Sequence, residues 1–116
     1  MSEITIYHNP RCSKSRETLA LLETKSDSVV VINYITTPPS VEKLQQIVAL
    51  LGFGSARQLM RTKEEIYKTL ALENENDEAV LLKMMVENPK LIERPIVVSN
   101  GKAAIGRPPE TVLVII

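Results

Sequence analysis

The sequence predicts one α/β domain, residues 1–116, built on a four-stranded mixed sheet, and three observations predict it. An apolar run, an amphipathic stretch and a β-branched run succeed one another within the first 34 residues. That is a strand–helix–strand unit, whose two strands should be parallel neighbours joined by a right-handed crossover. A second pair of short strands is predicted around Asn100-Gly101, a dipeptide suited to a two-residue hairpin with positive φ at both positions. Between these regions, residues 40–88 carry only helical signals and read as an insertion within the domain.

Taken in order, residues 3–7 form the first strand. A helix runs over about 13–24, with Leu19, Ala20 and Leu22 on its apolar side. Val29-Val30-Val31-Ile32-Asn33-Tyr34 is nearly continuous and β-branched, which predicts a fully buried strand. Thr36-Thr37-Pro38-Pro39 breaks the chain, and Ser40 caps a helix whose apolar positions are Val41, Leu44, Val48 and Leu51. Gly52 ends it. Ser55-x-x-Gln58 and Thr62-x-x-Glu65 each fit a capping box, predicting two short helices. Residues 77–87 form another helix, with Ala79, Leu82 and Val86 toward a core, and Asn88-Pro89 stops it. Pro95-Ile96-Val97-Val98-Ser99 is the third strand and residues 102–105 the fourth, antiparallel to it. Pro109 and Glu110 suit the first turn of a final helix, whose apolar tail 112–116 docks on the sheet.

The order is β-α-β, helical insertion, β-β-α. A cysteine at the first βα turn and a proline opening the third strand give this order a thioredoxin-like fold by analogy. In that fold the proline is cis and faces the cysteine, so Arg94–Pro95 is expected to be a cis peptide.

Composition narrows the function. Lys+Arg and Asp+Glu number 14 each and aromatics are 3%, which excludes the basic, base-stacking surface of a nucleic-acid binder. No apolar run approaches the roughly 18 residues of a membrane span. A strand begins within a few residues of Met1, leaving no room for a signal peptide, so a cytoplasmic location is expected. The single Cys cannot form an internal disulfide, and one His with one Cys makes no zinc site. No bound metal or cofactor is expected.

Chemistry collects in His8-Asn9-Pro10-Arg11-Cys12-Ser13-Lys14-Ser15-Arg16. Cys12 lies on a strand-to-helix turn, where unpaired N–H groups and the helix dipole favour an anion, and a thiolate is an anion. Arg11, Lys14 and Arg16 push the same way, so Cys12 reads as an activated nucleophile on a solvent-facing segment. His8 either accepts a proton, stabilises a thiolate when charged, or hydrogen-bonds locally. Ser15 takes the second cysteine position of a C-x-x-C pattern, which rules out a dithiol reaction within the loop; its hydroxyl either reaches the sulfur or caps the helix. Arg94 immediately precedes Pro95 and Arg107 follows the fourth strand, so both should lie near Cys12, while Arg61 falls between the two short helices. Arginine pairs bidentately with tetrahedral oxyanions and also favours a neighbouring thiolate. Surface arginines with no such role are the alternative.

These residues resemble a known family. His8-Asn9-Pro10-x-Cys12-x-x-Ser15-Arg16, Glu93-Arg94-Pro95-Ile96-Val97-Val98 and Ile105-Gly106-Arg107-Pro108 are similar to motifs of the glutaredoxin-dependent arsenate reductases, over nearly the whole chain. The resemblance implies that Cys12 attacks arsenate or a similar oxyanion and that Arg61, Arg94 and Arg107 bind it, with Arg61 carried by the looser Gln58-Leu59-Met60-Arg61. His8 is implied in catalysis, with Ser15, Arg16 and Pro95 in support. It also implies glutathione as co-substrate and glutaredoxin as partner, since the lone cysteine needs an external thiol. The chain stops at Ile116, where arsenic-resistance members carry a further helical segment, which places the likeness with the shorter, YfgD-like branch. Two further readings share the site: a generic glutathione-dependent thiol oxidoreductase, and a redox-regulator-like module that binds RNA polymerase. The latter usually carries the C-x-x-C switch that Ser15 breaks.

Overall fold

The computed structural model describes residues 3–116. They fall into two units, one of residues 3–37 with 94–116, the other of residues 38–93.

The first unit is the sheet. Its strands are β1 (Ile4–His8), β2 (Val29–Asn33), β3 (Ile96–Ser99) and β4 (Lys102–Ile105), in the order β2-β1-β3-β4. β1 pairs with β2 in parallel, Ile4 opposite Val29 and His8 opposite Asn33. β1 runs antiparallel to β3 with Ile6 opposite Val97, and β3 antiparallel to β4 with Val97 opposite Ala104. Asn100 and Gly101 turn the hairpin at φ of 55° and 70°, as the dipeptide predicts. Both Arg94–Pro95 and Arg107–Pro108 are cis; the second has no counterpart in the sequence reading. Helix α1 (Ser13–Glu23) lies between β1 and β2 in the chain. Ile4, Ile6, Leu22, Val97, Ala104, Val112 and Ile115 form the core that joins β1, α1, β3, β4 and the C-terminal segment. Burying a side chain the size of Val, Leu or Ile contributes about 1.5–3 kcal/mol, and six of the seven are of that size, so together they fix where α1, and hence its first turn, meets the sheet.

Four expectations change here. The β2 run is not fully buried: it is an edge strand, with Val30 40% and Val31 47% exposed. The β-branched composition that made it look buried reflects strand propensity, which an edge satisfies equally well. The buried face of α1 is Ser15, Thr18 and Leu22, whereas Ala20 is exposed and Leu19 only half-buried. The two hydroxyl residues are buried because each has a hydrogen-bond partner, that of Ser15 at the end of β1 and that of Thr18 within the helix, so hydrophobicity alone misplaces the helix face by part of a turn. The segment around Cys12 is not simply solvent-facing, since the thiol itself is buried between charged neighbours. The final helix is a 3-10 helix, Pro109–Val114, with Pro109 at its first position as expected. Its tail docks through Val112 and Ile115 while Val114 stays exposed.

The second unit is helical. Its α-helices are α2 (Val41–Leu50), α3 (Glu65–Thr69) and α4 (Glu78–Glu87), with 3-10 turns at Ala56–Leu59, Leu72–Asn74 and Pro89–Leu91. Ser40 caps α2 by accepting from Lys43 N–H, and Asp77 caps α4 through Ala79 N–H. The Ser55/Gln58 capping box forms, on a 3-10 turn. The Thr62/Glu65 box does not: α3 starts at Glu65 itself, and the N-cap is Glu64, whose side chain makes no capping bond. The buried positions of α2 are Leu44 and Ile47, with Val41 exposed, and those of α4 are Leu81, Leu82 and Met85, with Ala79 exposed. Arg57, which no motif points to, donates from its guanidinium to the carbonyls of Leu72 and Glu75 and to Tyr67 Oη, and so ties three turns together. Among the described residues no helix is long and apolar enough to cross a membrane, and no His/Cys/Asp/Glu cluster is arranged to hold a metal ion.

Candidate active site

The site is built from the end of β1 outward. His8 ends the strand, residues 9–12 turn, and Cys12 is the N-cap of α1, with extended backbone (φ −94°, ψ 124°) and no side-chain capping bond. The first-turn N–H groups of α1 therefore keep their positive field beside the sulfur. Local bonds hold the turn. Cys12 N–H donates to Asn9 O at 3.0 Å, and Arg11 N–H to Asn9 Oδ1 at 3.0 Å. Arg16 reaches back from α1 to donate Nη1–H to Pro10 O at 2.9 Å. Asn9 is thus an Asx-turn residue, and Arg16 braces the loop from the helix.

His8 and Ser15 form a buried pair. Ser15 Oγ lies 2.6 Å from His8 Nδ1 and accepts from Asn9 N–H at 3.0 Å. The hydroxyl has one donor and two acceptor sites, so it can either donate to a bare Nδ1 or accept from Nδ1–H, according to the ring tautomer. Burial first, and then the Arg16 charge, hold the His8 pKa below its ordinary 6.5. A neutral His8 cannot stabilise a thiolate by charge; of its three open roles, the structure supports local hydrogen bonding. Ser15 neither caps α1 nor bonds the sulfur. It ties α1 to the end of β1, and long-range geometry decides this, not composition.

Arg107 completes the group. Its Nη2 lies 3.7 Å from Cys12 Sγ, and its Nε–H donates to Arg94 O at 2.8 Å. The thiol is 8% exposed and Arg107 is exposed, so the pair opens to solvent on the arginine's side. Arg94 thus joins the thiol through its backbone, and its own Nε and Nη1 are shielded from solvent. Pro95 accepts from Gly106 N–H at 2.9 Å, fastening the residue before Arg107 to the start of β3. Arg61 belongs to the helical unit. Its N–H donates to Leu91 O at 2.7 Å beside the Met60–Ile92 bridge, and its guanidinium lies 2.7 Å from Glu64 and 4.0 Å from Glu93. Sequence reasoning missed Thr18 and Gly106, which pack together beneath Arg107. The only available signal was a glycine before the arginine at a strand end.

A thiol at a helix N-terminus, with an arginine held against it by the backbone of a cis-proline loop, is the arrangement this thioredoxin-like fold presents. The comparisons narrow it further. The profile of the ArsC family matches residues 7–115, and the chain belongs to that family. It is 54% identical to the uncharacterized protein YfgD of Escherichia coli over 98% of this chain and 97% of the relative. It is 54% identical to an arsenate reductase of Haemophilus influenzae, over 97% and 98% of the two chains. The structure of an arsenate reductase from Vibrio cholerae superposes with a TM-score of 0.94 at 54% identity, covering 98% of each chain. This chain spans 82% of a longer E. coli arsenate reductase, to which it is 40% identical.

Proposed function

We propose that the protein is an arsenate reductase in which Cys12 is the nucleophile and glutathione with glutaredoxin supplies the electrons. The observation that carries the reading is the Arg107 guanidinium, docked on Arg94 O and turned to the only thiol in the chain. The relatives' names and the motif resemblance supply the substrate.

The Cys12 thiolate attacks arsenic, forming an S–As bond; one arsenate oxygen leaves as water and arsenic stays at +5. Arg107 and Arg94 offset the charge on the remaining oxygens. A glutathione thiol displaces a second hydroxyl, again as water. A glutaredoxin thiolate then attacks the glutathione sulfur. An S–S bond forms, the As–S electron pair remains on arsenic, and arsenic becomes +3 while two thiols are oxidised to one mixed disulfide. Hydrolysis releases arsenite and regenerates Cys12. The chain has one cysteine, so the second and third sulfurs must come from outside. The neutral His8 and the Ser15 hydroxyl keep the loop in place rather than transfer a proton to arsenate.

The test is arsenate-dependent oxidation of glutathione in the presence of glutaredoxin, with Cys12→Ser as control. Turnover is expected for the wild type and none for Cys12→Ser. Equal rates for the two would overturn the proposal; reduction of a glutathione mixed disulfide without arsenate turnover would favour the thiol-oxidoreductase reading.

A further inference from the structure

The strand end that carries Arg107 lies directly on α1. Thr18 is fully buried, and its hydroxyl donates to Lys14 O at 2.7 Å, with Gly106 O at 3.4 Å as a second, longer branch. Gly106 N–H is held by Pro95 O at 2.9 Å, and Arg107 N–H closes a tight turn onto Ile105 O at 2.9 Å. A Cβ placed on Gly106 would overlap Thr18 Oγ1 and come within 2.9 Å of both Thr18 Cγ2 and Pro95 Cγ. The glycine is there for close approach, since its φ is not positive. Because Arg107 follows immediately, any outward shift of residue 106 moves the guanidinium from the thiol.

We propose that Gly106 and Thr18 form a steric seat that sets the Arg107 guanidinium against Cys12, making both of them positioning residues for the thiol site. Thr18 is the wall of the seat and the missing Gly106 side chain is its clearance. This deepens the arsenate-reductase reading, on which its turnover readout rests; a second readout does not.

The experiment compares wild type, Arg107→Ala, Gly106→Ala, Thr18→Ala, Gly106→Ala/Arg107→Ala and Gly106→Ala/Thr18→Ala. It measures arsenate turnover and the ratio of Cys12 alkylation rates with anionic iodoacetate and neutral iodoacetamide. A cation about 4 Å from the reacting sulfur should favour the anionic reagent by about fivefold in a water-like environment. Gly106→Ala should lower that ratio to the Arg107→Ala value, and adding Gly106→Ala to Arg107→Ala should lower it no further. Thr18→Ala removes both Thr18 atoms that the new methyl would strike and leaves only Pro95 Cγ at 2.9 Å, so the Gly106→Ala/Thr18→Ala variant should move back from the Arg107→Ala ratio toward the wild-type one. A Gly106→Ala protein with the wild-type ratio would overturn the seat, as would a folded Gly106→Ala/Thr18→Ala variant that stays at the Arg107→Ala ratio. If Gly106→Ala fails to fold, the Gly106→Ala/Thr18→Ala variant must fold with a ratio above the Arg107→Ala value; its failure also overturns the seat. If arsenate is not the substrate, turnover is absent throughout while the alkylation ratios still follow this pattern.

Discussion

Replacing Arg107 tests the site most directly. Its Nε is committed to Arg94 O and its Nη2 faces Cys12 Sγ, so the guanidinium is preorganised on the backbone before any anion arrives. Removing one such donor from a developing oxyanion costs about two to three orders of magnitude in turnover. Arg107 is exposed, which weakens its field: a unit charge pair at about 4 Å is worth about 1 kcal/mol in water and about 4 kcal/mol at an effective dielectric of 20. An intermediate value near 2.7 kcal/mol is about a hundredfold, so Arg107→Ala should lower kcat/KM for arsenate by about a hundredfold. Arg107→Lys keeps the charge, but a single ammonium cannot both dock on Arg94 O and face the sulfur, so about a tenfold loss should remain. Stability should change by less than about 0.5 kcal/mol in either variant. Initial rates of arsenate-dependent glutathione oxidation, beside a thermal melt, supply the data. Arg107→Ala within threefold of wild type would refute the argument, because a docked guanidinium beside the nucleophile would then have no part in the reaction.

Three further outcomes follow from the same geometry. Arg61 already faces Glu64 and Glu93, so Arg61→Ala should cost less turnover than Arg107→Ala; an equal or larger loss would show those carboxylates to be no offset. His8 has its pKa held below 6.5 and is the only histidine. Below pH 6.5 the unfolded chain therefore takes up a proton that the folded chain does not, and stability falls as pH drops toward the folded value while staying level above 6.5. Urea unfolding at pH 7.5 and 5.5 should show this difference in wild type and a smaller one in His8→Gln. Glu78 accepts from Ala56 N–H and Ser55 Oγ–H at 2.7 Å each, and these bonds hold its pKa below 4.5. Glu78→Gln should destabilise the helical unit by about 1 kcal/mol near neutral pH and by progressively less as pH falls below 4.5, read from denaturant midpoints.

The sequence by itself determined whatever depends on neighbours along the chain. It set the order of strands and helices, the Asn100-Gly101 turn, and the Ser40 and Ser55 caps, because each rests on backbone preferences within a few residues. It also placed Cys12 at the mouth of α1, since a strand, a short polar turn and an amphipathic run allow little else. Tertiary structure decided the rest. A run of valines reads the same at a sheet edge and at its centre, so only pairing revealed that β2 is an edge. Ser15 and Thr18 count as polar until their partners are known, and those partners include a strand-end histidine and a glycine 88 residues away. Arg57 and Arg107 are alike as residues; one staples helical turns and the other faces the thiol, because backbone carbonyls remote in sequence hold each guanidinium in place. Local preference is written into the amino acids, whereas the position of a long cationic side chain is set by which distant carbonyl it reaches, and only the folded chain brings that carbonyl within reach.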